Sequence, residues 1–354
     1  MNGIGSLLCT VFGLLLTSAA IFETWMAVLY PRAVTGPITA VTYRIYHHIS
    51  QRVLGPKSTL LLFSGPALIV TQAMVWATLL LIGVSLIVWP QLGVGIVNSN
   101  APATETSLFA AVYYAGFSVT TLGVGDLVPQ TTFARLVTIT AAAIGFSFFT
   151  LVLAYIISVY SALGRRNQFA SEIDYRTGRT GDTLAYLQPH LASVDRALLN
   201  QDLCDLASKL ADLLESHHFY PALHYFRFSE PRYAMSRMLR FCLETASLLR
   251  AIHELHSEES SVNPEPIERL WHASLQTLED AKKHFVICRV SQNDVDLSLA
   301  ERLANQRALT SAISSLSPGV LAAAYANHCR KWSDDLASLE RCTMTGSHCP
   351  QDSH

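Results

Sequence analysis

Three long apolar runs, residues 4–30, 60–89 and 133–160, constrain this chain more than anything else in it. Each is long enough to cross a hydrocarbon layer of roughly 30 Å at about 1.5 Å per residue, and inside such a layer backbone polar groups must be satisfied within the segment. Three membrane-spanning helices are therefore expected.

The chain has 354 residues, half of them hydrophobic and 15% charged. The apolar residues crowd into the first 163 positions, and Lys, Arg, Asp and Glu gather after Arg165. A membrane portion followed by a polar portion is the natural reading. The net charge of -2 gives no reason to invoke nucleic acid as a partner. Cys9 lies in an apolar run, and Cys204, Cys242, Cys288, Cys329, Cys342 and Cys349 are scattered without C-x-x-C spacing, which favours reduced, cytosol-facing thiols.

Charge also sets the topology. Arg32, Arg44, Arg52 and Lys57 follow the first run, and Arg165 and Arg166 follow the third. By the positive-inside rule both places are cytoplasmic. The expectation is a multi-pass protein of the cell inner membrane, N-terminus outside and C-terminal part in the cytoplasm. Ser18-Ala19-Ala20 resembles a signal-peptide cleavage site, but no positive charge precedes the run. Removing it would also put the segment between the other two runs on the cytoplasmic side, so a retained span is expected.

Glu23, near the inner end of the first span, invites a functional reading as an ionisable group in lipid, but a carboxylate at the interface beside Trp25 is the simpler expectation. Residues 37–54 place Ile38, Val41, Ile45, Ile49 and Val53 at helical spacing with Arg44, His48 and Arg52 on another side, the pattern of a helix lying in the inner interface. Pro66 marks a kink or the true start of the second helix. After a polar stretch with Pro102, residues 107–118 form an apolar segment too short to span, with the length of a re-entrant helix. Its C-terminal dipole end would point into the membrane centre, where a cation would feel it.

Next comes Thr120-Thr121-Leu122-Gly123-Val124-Gly125-Asp126. Stripping water from a cation requires rings of oxygen ligands, and an extended strand can supply them from its carbonyls if glycines permit the backbone angles that aim them. Here the sequence resembles the potassium-channel signature, Thr-x-Gly-x-Gly-Asp, of prokaryotic channels with two helices flanking a pore loop. The resemblance covers roughly residues 59–163, with an extra span in front. It implies that the carbonyls of Thr121, Leu122, Gly123 and Val124, with the Thr121 hydroxyl, bind potassium, that Gly125 completes the filter, and that Thr120 and Asp126 support it. Tyr113 and Tyr114 fall where the family often has an aromatic pair, and Gly145 where its inner helix often has a hinge. One pore loop per chain implies a homotetramer in the lipid bilayer. Where the family usually has Tyr or Phe between the glycines, this chain has Val124, so the usual aromatic cuff cannot form. Where Phe117 stands, some relatives carry an acidic brace.

Beyond Gly145, Phe149, Leu153 or Ala154, and Ser158 recur at helical spacing as candidates to face a pore that could close by dewetting. The expected fold is an all-α membrane protein in four parts: residues 1–58, a span and an interfacial helix; 59–163, the pore; 164–342, a cytoplasmic helical domain; and 343–354, a disordered tail. A polar linker with residues 176–182 leads to helical patterns at residues 194–217, 231–256, 265–285, 295–316 and 320–342. In the first, Leu198, Leu203, Leu206, Leu210 and Leu213 mark the apolar face, with Ser193 and Asp195 as caps. Neither a Gly-x-Gly-x-x-Gly turn nor strand–helix alternation is present, so a nucleotide-sensing domain is not expected, and any cytoplasmic ligand is unknown. His217, His218 and His224, or Cys342, His348 and Cys349, lack structural zinc spacing, and read as surface histidines and a disordered tail. No nucleophile, base and orienter group together, so neither an enzyme nor a cofactor is expected beyond the permeant potassium ion.

Overall fold

The computed structural model describes residues 3–30, 36–53, 62–193, 196–255, 263–284 and 318–343. The protein is an all-α membrane protein. Among the described residues three helices are long and apolar enough to cross a membrane: Gly3–Val28, Ser64–Gln91 and Thr132–Arg176. The described residues fall into two compact units, the first within Met1–Val53 and Gly65–Tyr160, the second within Leu54–Ser64 and Ser161–His354.

In the first unit α1 (Gly3–Val28), α2 (Pro37–Val53) and α3 (Ser64–Val88) precede a short 3-10 turn, Trp89–Gln91. Then come β1 (Ile96–Asn98), α4 (Leu108–Val119), β2 (Leu127–Pro129) and α5 (Thr132–Arg176). The buried side of α1 is Gly13, Thr17, Ala20, Glu23 and Thr24, a stripe of mostly small residues at three- and four-residue spacing. Small residues let backbones approach where lipid gives no hydrophobic drive to helix association. The approach is close: a Cβ on Gly13 would lie 2.6 Å from the Gly83 carbonyl oxygen of α3, and one on Gly83 would lie 2.8 Å from the Thr17 nitrogen. The core around α4 comprises Leu80, Val84 and Val88 from α3, Ala110, Ala111, Tyr114 and Ala115 from α4, and Ala134 and Ala141 from α5.

Two features depart from the sequence reading of this unit. Strands β1 and β2 pair antiparallel, with Ile96 opposite Pro129 and Asn98 opposite Leu127. Three-residue strands are too short to leave an alternation signal. Helix α5 also continues to Arg176 where a polar linker was expected after Arg166, because no breaker appears before Thr177-Gly178. The boundary drawn at residue 163 thus falls inside a helix.

The second unit holds the end of α5 with α6 (Thr183–Ala192), α7 (Ala197–Phe219), α8 (Met235–Leu255), α9 (Pro264–His284), α10 (Pro318–Cys329) and α11 (Ser333–Thr343). Helix α8 is buried on nearly every side, and its Met238, Leu239, Cys242, Leu243, Ala246 and Leu248 are fully enclosed. The apolar face of α7 runs through Leu199, Leu203, Leu206, Leu210 and Leu213; Leu198, expected on that face, is 63% exposed. A shift of one residue is a turn of about 100° around the helix, and Leu199 fits the 4-3-4-3 spacing better. Of the expected caps for this helix, Asp195 lies outside the described residues, and Arg196 stands at the N-cap without capping through its side chain. The Arg196 guanidinium donates instead to the carbonyls of His190 and Leu191, at the end of α6.

Helix α6 had no counterpart in the sequence reading, since Pro189 lies inside it and obscures its period. Its N-cap is Asp182, which accepts the Leu184 N–H at 3.1 Å. Residues 320–342, expected as one helix, form two. The chain turns at residues 330–332, Trp332 donates its indole N–H to Ser247 Oγ at 3.0 Å, and Ser333-Asp334-Asp335 restarts the helix with acid in its first turn. The pattern at residues 295–316 lies outside the described residues, as does the tail beyond residue 343.

Candidate functional site

Helix α4 begins on Ser107, whose hydroxyl accepts the Ala110 N–H at 3.1 Å. At its other end the Leu122 N–H reaches the Phe117 carbonyl at 2.9 Å and the Thr121 N–H reaches Ser118 at 3.2 Å. This pair of bonds is a Schellman closure, with Thr121 at the left-handed position that glycine usually takes. Thr121 has φ +58°. A β-branched residue there is a genuine outlier, carrying about 1–3 kcal/mol of strain of the kind concentrated at functional sites.

Left-handed angles then recur at every second residue: Thr121 at +58°, Gly123 at +58° and Gly125 at +85°. Such alternation turns successive peptide groups toward the same side of the chain. Residues 120–125 are exposed along their whole length, Leu122 at 72% and Val124 at 50%. Among the described residues, no hydrogen bond is made to the carbonyls of Thr121, Leu122, Gly123 or Val124. The Gly125 carbonyl is different, since it accepts the Ser99 hydroxyl at 3.0 Å. Four consecutive oxygens are therefore free and one is engaged. The Thr121 hydroxyl donates to the Thr120 carbonyl at 2.7 Å, and the Thr120 hydroxyl to Gly116 at 2.8 Å, so both threonines keep oxygen lone pairs available.

Three aromatic side chains pack together at the end of α4. Phe117 is buried and meets Tyr113 and Tyr114 edge-on, with ring centroids at 5.3 and 4.9 Å. The fully buried Tyr114 bonds to the Thr138 hydroxyl of α5 at 2.6 Å. The Asp126 carboxylate lies near enough to Tyr113 of α4 to act on its hydroxyl. Asp126 also accepts the Leu127 N–H at 2.8 Å, and its carbonyl accepts the Ser99 N–H at 2.8 Å. The role of Ser99 left no signal in the sequence, being a contact across 26 residues.

On α5, Gly145 lies within unbroken helix against the end of α4; a Cβ there would run into the Val119 carbonyl. Phe149 is 67% exposed, and Phe146, Leu153 and Ile157 extend the same uncovered apolar face. Ala154 is exposed, and the Ser158 hydroxyl is satisfied within the helix by the Ala154 carbonyl at 2.8 Å.

Glu23, expected as an interfacial carboxylate, is 1% exposed. It accepts the Ile38 N–H at 2.8 Å and both the N–H and hydroxyl of Thr39, so a residue of α1 caps the first turn of α2. Gln72 of α3 donates to the Thr39 hydroxyl at 3.2 Å, and Tyr43 of α2 meets Tyr155 of α5 through their hydroxyls at 3.4 Å. Of the histidines expected at the surface, His217 is buried, its ring tilted 52° to that of His224 with centroids 4.7 Å apart, and His218 lies 3.0 Å from the Asp280 carboxylate. No group of three or more metal-ligating side chains is gathered among the described residues.

Residues 75–162 match the family model described as "Ion channel". The chain is similar to the uncharacterized membrane protein YdjJ of Bacillus subtilis (strain 168), at 27% identity over 224 residues, 61% of this chain and 62% of that protein. The chain thus spans less than two thirds of the length of that relative. No solved structure matches. The segment that carries α4, the Thr120–Asp126 turn and the first part of α5 is therefore matched by an ion-channel family, within a multi-pass membrane protein.

Proposed function

We propose that the chain assembles as a homotetramer that conducts potassium through the carbonyls of Thr121, Leu122, Gly123 and Val124. The observation that carries this reading is the set of four consecutive carbonyls without a hydrogen-bond partner, next to a helix C-terminus. Irregular backbone at membrane depth persists only where it is covered by protein or lines a water-filled path. One strand offers oxygens from one side, and a closed ring around an ion needs copies. The uncovered face of Phe146, Phe149, Leu153 and Ile157 is compatible with such assembly. In this reading Asp126 lies at the outer mouth, the second unit lies in the cytoplasm of an inner-membrane protein, and it gates the pore through α5 near Phe149, Ala154 and Ser158 in response to a cytoplasmic ligand.

Purified protein in liposomes should pass potassium and be blocked by barium, and its mass in detergent should equal four chains. Well-folded protein without flux would instead point to a non-conducting scaffold. Val124 favours a second reading, a weakly selective cation pore, because it offers neither the hydroxyl nor the volume of the aromatic residue usual there. Reversal potentials in mixed potassium and sodium separate the two.

A further inference from the structure

The free carbonyls of residues 121–124 have a fixture at each end. At one end Thr121 closes α4; at the other, Ser99 holds the backbone. The Ser99 N–H donates to the Asp126 carbonyl at 2.8 Å and continues the β1–β2 pairing one step past Asn98 opposite Leu127. The Ser99 hydroxyl proton is shared between the carbonyls of Gly125 at 3.0 Å and Asp126 at 3.2 Å. The side chain thus engages the oxygen next to the four free ones.

The backbone that presents Ser99 is well anchored. Ile96 of β1 is fully buried and Leu127 of β2 is buried beside it in the core around α4. The Gly93 N–H meets the Ile96 carbonyl and the Gln130 N–H the Gly95 carbonyl, both at 2.8 Å. On the other side of Asn98, its N–H donates to the Thr104 hydroxyl at 2.9 Å, and its side chain accepts the Asn100 N–H at 2.7 Å. A hydroxyl mounted this way restrains what it touches.

The segment itself has little to resist rotation. A Cβ on Gly123 would meet nothing within 4 Å, and Leu122 and Val124 are exposed. Neither Val124 nor Phe117 has a polar side-chain atom with which to hold a peptide group. Oxygens aimed at one axis repel one another, so that arrangement is kept either by bonds at its ends or by a cation between the oxygens.

We propose that Ser99 is the positioning residue of the ion path: its hydroxyl stops the Gly125 peptide from turning and so keeps the four preceding carbonyls aimed when no cation is bound. The inference rests on the conduction reading above and adds to it a side chain that touches no ion. Loss of one ordinary hydrogen bond shifts a population on the order of fivefold. A cation that binds only the aimed form must then be about fivefold more concentrated to hold it.

Tracer flux of the full chain is measured in liposomes over a series of symmetric potassium concentrations, with ionic strength held constant by N-methylglucamine. Ser99→Ala should raise the potassium concentration for half-maximal flux about fivefold. Ser99→Thr keeps the hydroxyl and should match the parent. Because Ser99 is exposed and water can replace its hydroxyl, both variants should keep the oligomer mass and thermal midpoint of the parent. An alanine variant with the parent's potassium requirement, or a threonine variant that behaves like alanine, overturns the role of Ser99 and leaves conduction standing. A parent without flux removes the conduction reading, and this one with it.

Discussion

The Glu23 carboxylate, buried on α1, accepts the N–H and the hydroxyl of Thr39 at 3.1 and 2.7 Å and so begins α2 from another helix. Glu23→Ala strips this cap and leaves buried donors unpaired, at an expected loss of about 1–3 kcal/mol. Glu23→Gln, which keeps one acceptor, should lose less. Thermal midpoints in detergent and faster tryptic cleavage at Arg44 read the effect; an alanine variant as resistant as the parent would mean that the cap is idle.

At Gly123 a Cβ meets nothing within 4 Å, but φ is +58°. Gly123→Ala therefore carries about 1–2 kcal/mol of local backbone strain without a clash. The expected outcome is lost ion flux with unchanged oligomer mass. Normal flux from this variant contradicts the assignment of the conduction path.

Gly145 presents the opposite case, because a methyl group there runs into the Val119 backbone, which cannot swing aside as a side chain can. Gly145→Ala should cost at least about 1–3 kcal/mol, the usual penalty of overpacking. Unlike Gly123→Ala, it should lower the thermal midpoint as well as flux. Equal midpoints for the two variants would refute this distinction.

Burial pushes the Cys329 thiol from 9.0 up to about 12, and burial pushes Cys242 higher still. At pH 8 a thiol of that kind has a thiolate fraction on the order of 10⁻⁴, so the half-buried Cys204 should be alkylated well before either. Because the folded chain holds these protons longer than the unfolded one, their contribution to stability is complete below about pH 9 and falls as pH rises toward 12. Site-resolved mass spectrometry and midpoints from pH 7 to 10 test both halves; early labelling of Cys329 in folded protein would exclude the burial.

Arg240 of α8 grips Glu340 of α11 with two bonds, at 2.9 and 2.7 Å, and stands 3.7 Å from Glu244. Glu244 also accepts the Thr183 hydroxyl at 2.7 Å. Arg240→Ala should cost about 2 kcal/mol, below the roughly 3–5 of a fully buried pair because Arg240 is partly exposed. Denaturant midpoints that do not move would show that α11 is held by its apolar face alone.

The sequence exposes what is local or periodic. The three spans follow from run length, α4 from an apolar run too short to cross, and the bend after it from Thr121, Gly123 and Gly125. Contacts between distant positions are hidden, because nothing in residues 23 and 39 names them as partners, and Ser99 has no motif that points to Gly125. Helix α6 is masked by Pro189, and the break before Ser333 depends on where the Trp332 indole finds Ser247. Gly145 was legible as a special glycine, but its contact with Val119 required the packing to be seen.

Thr121 closes α4 and is also the first residue of the left-handed alternation, so no spacer separates the helix from the free carbonyls. Without slack there, a half-turn of α4 or a small slide along its axis must reappear at the carbonyls undiminished. The oxygens thus inherit their positional tolerance from Ser107, Tyr114 and Gly145, residues that touch no ion.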